Sequence, residues 1–334
     1  MEHKFSAILM SIGFNDLMKL VMMTKENPII NDYIKLYIKE FLEEINKIDK
    51  EGRTALMLAA RNSKKESSEK TVEMLLENGA DVNVQDNDGW TALMLAARNS
   101  KIDSSERTVE ILINAKSDVN VKENEGWTAL MLAAKYSKTD SSERTVEILL
   151  RNGADVNLQS DGWTALMVAA LHSKTESSEK TVEMLIGAGA DVNLQTNNGQ
   201  TALMLATRYS NKDSSEKTVE ILISNGADVN IITNNRFTAL MLAIKYSKTD
   251  SSERTIEVLL NGGADPLITD PTSNRILNLL DNKYVQLFME KQKEHLVKKN
   301  ELLEKKIELL KTELKYHPDS EFVKRIQNHF ESLV

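Results

Sequence analysis

Apolar residues along this chain come in two alternating runs. The first has the form T-A-L-M-x-A-A and recurs, with edits, from Thr54, Thr91, Thr128, Thr164, Thr201 and Thr238. The steps between those threonines are 37, 37, 36, 37 and 37 residues. The second run, such as Val109, Ile111, Leu112 and Ile113, gives a helix one buried side. A polar segment of the form S-K-x-x-S-S-E separates the two. Each unit is therefore predicted to hold a short helix, a loop, a second amphipathic helix and an extended connection. Self-similarity at this period predicts an all-α solenoid, in which each unit buries its apolar face only against its neighbours.

The local signals agree with that division. Each Thr can cap the first helix. Asp103-Ser104-Ser105-Glu106 has capping-box spacing, which places the cap of the second helix at Asp103, with Glu106 satisfying the free amide behind it. Second helices end at Gly79, Gly153, Gly189, Gly226 and Gly263, where a left-handed closing residue is expected. Lys116 stands at that place in the second unit and is expected to take the same conformation. In the sixth unit Arg236 replaces the turn Gly, and Asn235 is expected to carry the unusual angle instead.

Six repeats at 49–270 are expected between dissimilar flanks. Residues 1–48 read as helices capping the stack. Pro28 starts a helix from Ile29 to Ile45 with Ile34, Tyr37, Ile38 and Phe41 on one face. Residues 271–289 read as a degenerate C-terminal cap, and 290–334 as a charged helical tail. In the tail Met289, Leu296, Leu303 and Leu310 are seven apart, with Asn300, Ile307 and Leu314 four residues after the preceding Leu. An Asn on such a seam fixes register in two-stranded coiled coils. Residues 289–314 are thus a candidate homodimer seam, against the alternative that the tail folds back on the last repeat. Pro318 and Asp319 end the helix, and a short amphipathic one follows.

Composition narrows the function classes. The net charge is −8, which opposes general nucleic-acid binding. There is no cysteine, which fits a cytosolic or nuclear setting. No apolar run approaches the ~20 residues that span a membrane, and Phe5 to Phe14 reads as a short amphipathic helix. No phosphate loop or nucleophile elbow is present. The five histidines lack ligand spacing, so no metal or cofactor is expected. Acidic residues recur with the repeat, as a scaffold pattern does, and no catalytic residues are assigned. Helix capping accounts for every Ser-Ser-Glu without invoking phosphorylation.

The pattern D-x-x-G-x-T-A-L-M-x-A-A in Asp49 to Ala60, with L-L-x-x-G-A-D-V-N in Leu75 to Asn83, resembles the ankyrin repeat. The unit is about four residues longer than the usual ~33. The surplus lies between the helices, as in the long-loop ankyrin proteins of amoeba-infecting giant DNA viruses. Where the family has Pro and His, this chain has Ala55 and Met57, and likewise in all six units. The family His ties adjacent turns by hydrogen bonds; Met is expected only to pack, leaving that tie absent.

The resemblance implies a non-catalytic module that meets a protein partner, in a viral setting a host protein, on the concave face. Carried over, that face includes the residue before each Thr: Arg53, Trp90, Trp127, Trp163, Gln200 and Phe237. It also includes the pair after each first helix: Arg61-Asn62, Arg98-Asn99, Lys135-Tyr136, Leu171-His172, Arg208-Tyr209 and Lys245-Tyr246. Trp is enriched at binding hot spots, and equally each Trp can pack on its neighbour. The cations suit a helix C-terminus, and with the Tyr they form a basic and aromatic strip for an acidic partner. Turn tips are acidic early (Asp86, Asp88, Glu123, Glu125, Asp161) and amide-rich later. The alternative function is a self-assembling structural protein that oligomerises through the tail.

Overall fold

The computed structural model describes residues 45–268 except Lys248, residues 282–316, and the single positions Leu17, Val21, Asp32, Ile34 and Lys35. The expected N-terminal cap helix, most of the 271–289 cap and the terminal helix after Pro318 lie outside the described residues. The chain divides into two compact units, residues 1–276 and 277–334.

Among the described residues the first unit holds six helix pairs. They are α1 (Ala55–Arg61) with α2 (Glu69–Glu77), α3 (Ala92–Asn99) with α4 (Glu106–Asn114), and α5 (Ala129–Lys135) with α6 (Glu143–Arg151). They continue as α7 (Ala165–His172) with α8 (Glu179–Gly187), α9 (Ala202–Arg208) with α10 (Glu216–Ser224), and α11 (Ala239–Tyr246) with α12 (Glu253–Asn261). Odd-numbered helices pack on the next odd-numbered helix, even on even, and each pair closes on itself. This is the all-α solenoid that the period predicts. Among the described residues the second unit holds one long helix, α13 (Asn282–Tyr316), which runs unbroken through residue 289.

Small residues make the inner layer thin. Ala55, Leu56, Met57, Ala59 and Ala60 of α1 are all buried, as are their counterparts in the other odd helices except Ile244 of α11, which is half-buried. A helix this short and this apolar is marginal alone and is held by neighbours on both sides. Even-numbered helices bury one stripe, Val109, Ile111 and Leu112 in α4, and turn the charged face outward.

Each junction is stitched at three levels. In the long loop, Lys101 N–H donates to Asp140 O at 3.0 Å, and the same bond recurs from Lys64, Lys138, Lys174 and Asn211. Beneath it lies a buried hydroxyl chain. Thr145 Oγ1 donates to Ser100 Oγ at 2.6 Å, Ser100 lies 3.2 Å from Ser141, and Ser141 Oγ donates to Ala97 O at 2.6 Å. Ser63, Ser137, Ser173 and Ser210 sit in the same chain at their own junctions. On the opposite hairpin, Asn120 Nδ2 donates to Gly153 O and Asn120 Oδ1 accepts from Asp155 N–H; Asn46, Asn83, Asn157, Asn193 and Asn230 repeat the clasp.

Three local expectations are corrected. The cap of each second helix is the second Ser of the pair: Ser105, not Asp103, accepts from Thr108 N–H. Thr108 presents a hydroxyl that the buried chain uses, so the cap moves two residues inward. Glu106 consequently becomes the first helical residue, and its carboxylate accepts from Ser142 of the next repeat at 2.6 Å. Met also does more than pack. Met57 and Met241 each accept the N–H of the capping Thr on Sδ, at 3.4 and 3.3 Å, a weak acceptor completing a capping box. Adjacent turns are tied by other residues, among them Asn124 Nδ2 to Asn87 O at 2.9 Å and Asn87 Nδ2 to Lys50 O. Finally, Arg236 itself carries φ 63°, not Asn235. Arg236 keeps the turn register, with its N–H bonded to Thr233 O at 2.8 Å.

The one step of 36 residues has a local cause. The tip of the fourth repeat is a residue short, and Ser160 and Trp163 exchange both backbone hydrogen bonds across Asp161 and Gly162. Both central residues have positive φ, 46° and 83°, as a tight two-residue hairpin turn demands.

Lys116 takes φ 71°, as expected from its place at the end of α4. At the equivalent Gly79, φ is 93° and nothing lies within 4 Å of an added Cβ, so the cost at Lys116 is conformational rather than steric. Lys116→Gly should raise the melting temperature by about 2–4 °C, taking about 1 kcal/mol for a non-Gly residue in this region. A thermal melt followed by circular dichroism checks this.

Candidate functional site

The face to examine is bounded by the turn tips on one side and the C-terminal ends of the odd helices on the other. At the tips, a side chain in the first position staples the turn. Asp86 accepts from Trp90 N–H at 2.8 Å, and Glu123 from Trp127 N–H at 2.7 Å. Thr196 and Thr233 do the same for Gln200 and Phe237. Asp86 and the buried Glu123 are therefore scaffold, while Asp88, Glu125 and Asp161 remain exposed. The staple also aims the residue that follows the Gly. Trp90, Trp127, Trp163 and Phe237 are all half-buried along this face.

Helix ends bring the cations against these rings. Arg98 lies 5.8 Å from the Trp90 ring and 5.1 Å from that of Tyr136 in the next repeat. Lys135 sits between Trp127 at 5.7 Å and Tyr136 at 4.8 Å. Arg208 sits between Tyr209 at 4.9 Å and Tyr246 at 4.6 Å. Lys245 sits between Phe237 at 4.9 Å and Tyr246 at 5.6 Å. Cations over ring faces are held by the ring quadrupole. Two clusters result, one over repeats two and three and one over repeats five and six. Asn99 is occupied differently: its amide donates to Leu95 O at 2.8 Å and finishes α3.

Repeat four interrupts the strip. Leu171 replaces the cation, and His172 follows it, half-buried. A hollow of about 430 Å³ lies here, lined among others by Trp127, Trp163, Val168, Leu171 and His172. A neighbouring one of about 480 Å³ spans Trp90, Arg98, Trp127, Lys135 and Tyr136, with Asp88 and Glu125 on its tip side.

The charge bookkeeping separates this face from the outer one. Cations on the even helices other than Lys70 are paired, among them Arg144 with Glu147 at 2.7 Å, Arg151 with Glu147 at 2.5 Å, and Lys180 with Glu143 at 2.8 Å. Burial works to raise the Glu143 carboxyl, but hydrogen bonds from Lys180 and Ser178 outweigh it and hold the group below its usual range. A wider outer depression of about 870 Å³ is lined by these same paired groups. It also holds Lys101 and Lys138, whose ammonium groups donate to backbone carbonyls, so each of its five cations already has a partner. Among the described residues, Arg98, Arg208 and Lys245 have no carboxylate partner, and Lys135 has a distant one in Glu176 at 3.8 Å. Nε of Arg98 and of Arg208 is shielded from water with no hydrogen-bond partner, so ring contact is what positions them.

Helix ladders of this kind, joined by hairpin tips and lined on one face by variable side chains, define an all-α repeat scaffold. The chain belongs to the ankyrin-repeat family. The family profile, described as ankyrin repeats, matches three overlapping stretches, residues 17–107, 100–196 and 173–270. The chain is 43% identical over 72 residues to an ankyrin repeat protein of Acanthamoeba polyphaga mimivirus. That match spans 21% of this chain and 8% of the viral protein's length. Among solved structures, the ankyrin repeat domain of Bcl-3, a member of the IkappaB family, is similar with a TM-score of 0.58 and 24% identity. It covers 73% of this chain and 96% of its own, and the likeness supports the fold. As a family, ankyrin repeats are protein–protein interaction modules. Among the described residues, no helix is long and apolar enough to cross a membrane.

Burial holds the His172 imidazole below its ordinary value of 6.5, with Glu176 working in the opposite direction from 3.7 Å. Between the native midpoint and 6.5 the unfolded chain binds more protons, so this group costs stability as pH falls. A proton NMR titration should give His172 a midpoint below 6.5, and His172→Gln should flatten that part of the stability–pH curve.

Proposed function

We propose that this chain is a non-catalytic binding protein that captures a protein partner on the tip-and-helix-end face. The observation that carries the reading is the contrast in charge pairing. Cations of the outer helices, Lys70 excepted, are paired with carboxylates, whereas the aromatic-bracketed Arg98, Arg208 and Lys245 of the strip have none among the described residues. All three Trp of the chain stand on that strip. Half-buried aromatics beside Arg are the chemistry of binding hot spots. Trp90, Trp127, Trp163, Phe237, Arg98, Lys135, Tyr136, His172, Arg208, Tyr209, Lys245 and Tyr246 are its contact residues, with Asn99 at its edge. The buried first Ser of each Ser-Ser-Glu, fully enclosed at 67, 104, 141, 177, 214 and 251, speaks for scaffold rather than a modification site in that loop. A viral relative makes a host protein a natural partner, and the host cytoplasm the setting, with the nucleus the alternative.

The test is capture from a cell extract by the full chain and by the triple variant Trp90→Ala, Trp127→Ala, Trp163→Ala. The variant should lose the partners that the parent holds, with its melting temperature shifted by a few degrees at most. Equal capture by both would sink the reading.

A second reading has its own observation. On α13, Met289, Leu296, Leu303 and Ile307 fall on one seam and stay 62%, 56%, 47% and 48% exposed. Two copies paired along that seam would cover them, with Asn300 fixing the register. Light scattering at ~10 µM checks this against ordinary association strengths. A dimer that becomes a monomer with Leu303→Glu and Ile307→Glu supports self-association; a monomer from the start removes it.

A further inference from the structure

The strip changes character along the stack, and the change specifies a partner. At the tips, exposed acids stand in repeats two to four: Asp88, Glu125 and Asp161. In repeats five and six the tip positions are Asn198 and Asn235, and the exposed Arg236 follows. On the helix-end side, cations stand at 98, 135, 208 and 245, with Leu171 between. Over repeats two and three the two sides therefore balance. Over repeats five and six only positive charge is presented, by Arg208, Arg236 and Lys245. None of these three has a carboxylate partner among the described residues, and rings hold Arg208 and Lys245 in place. Between the two ends lies the hollow at Trp127, Trp163, Val168 and Leu171, with Glu125, Lys135 and Asp161 also in its lining, at the place in the strip where Leu171 stands for a cation.

Resting on the binding reading above, we propose that the partner is a linear peptide segment with an apolar side chain followed, in one chain direction, by acidic residues. The apolar group enters the hollow of repeats three and four. The acids meet Arg208, Arg236 and Lys245. Spacing follows from the repeat. Packed helices lie about 8–10 Å apart, and an extended chain rises about 3.3 Å per residue. From the hollow to Arg208 is about one and a half repeats, or roughly four to five residues. Arg208 to Lys245 is one further repeat, or about three residues. The segment therefore reads apolar, four spacers, acid, two spacers, acid. A free acidic patch without the apolar group would be repelled at Glu125 and Asp161, which gives the segment its polarity.

The full chain carries its own reporter, since Trp127 and Trp163 line the hollow. The probes are two synthetic peptides with Leu, four Gly/Ser residues, Asp, two Gly/Ser residues and Asp, written in the two chain orders. One order should shift the intrinsic Trp emission at micromolar to submillimolar concentration. Binding should weaken at least fivefold between 50 and 300 mM salt, as screened charge contacts do. It should also weaken at least fivefold in Arg208→Glu with Lys245→Glu, and with a probe whose Leu is replaced by Ser. No emission change with either order up to ~1 mM, a scale set by weak peptide affinities, overturns the inference. Equal binding of a probe with Lys in place of Asp also overturns it. So does an equal response to a single-stranded oligonucleotide, which would make the site a phosphate binder. The two levels of the reading fail separately. Extract partners that need the Trp but tolerate the Arg208 and Lys245 changes remove this inference alone. Partners that ignore the Trp remove the binding face itself.

Discussion

A chain of buried hydroxyls sets the geometry on which the rest depends. At each junction a Ser after the first helix, a Ser in the next loop and a Thr in the next second helix bond to one another away from water. A buried hydroxyl left without a partner costs about 1–3 kcal/mol, more than a satisfied one contributes. The chain therefore closes only when all its members are in register. That requirement accounts for the long loop. The residues beyond the common repeat length carry Ser104 and Ser141 to the carbonyls of Ala60 and Ala97 in the preceding repeat. The loop is an internal seam of the solenoid, and its monotony from copy to copy follows from its burial.

With the junctions fixed this tightly, variation is confined to positions that no junction uses. The residue before each Thr and the pair after each first helix are held at their backbone and free at their tips. This is where Trp gives way to Gln200 and Phe237, and where a cation gives way to Leu171. The same division explains the charges. Acids of the loops and second helices are spent on neighbouring repeats, as Glu106 is on Ser142. On the strip Glu176 approaches Lys135 and His172, and the other cations lean on rings.

Much of this was legible in the residues alone, and the reasons differ by feature. The period, the helix pairs and the left-handed Lys116 follow from local rules, because a positive φ at a helix end depends on three or four adjacent residues. The face of candidate residues followed from matching the family's pattern. What could not be read was any choice decided between repeats. Asp103 and Ser105 are both good caps, and only the distant Ser100-like partner of Thr108 selects Ser105. Asn235 is the better left-handed residue by propensity, yet the Thr233 carbonyl fixes the turn so that Arg236 takes the strain. The sulfur contacts of Met57 and Met241 depend on tenths of an ångström at a buried Thr. The bracketing of Arg98 by a ring of its own repeat and one of the next is likewise a two-repeat property.

All five junctions share the hydroxyl chain and the Asn clasp, so one unit resembles another as far as stacking is concerned. Those edges meet edges of the same kind at every junction, while the tip tie changes where the fourth repeat is short. Stacking thus constrains the loop length of a unit more tightly than the number of units. An array built this way works as a molding of repeated section, whose reach can be lengthened a notch at a time without recutting the joint. Divergence then acts on the few side chains facing outward, and the shortened tip at Asp161 shows the joint adapting to a missing residue: Ser160 Oγ reaches Glu125 O at 2.7 Å where other tips use an Asn amide.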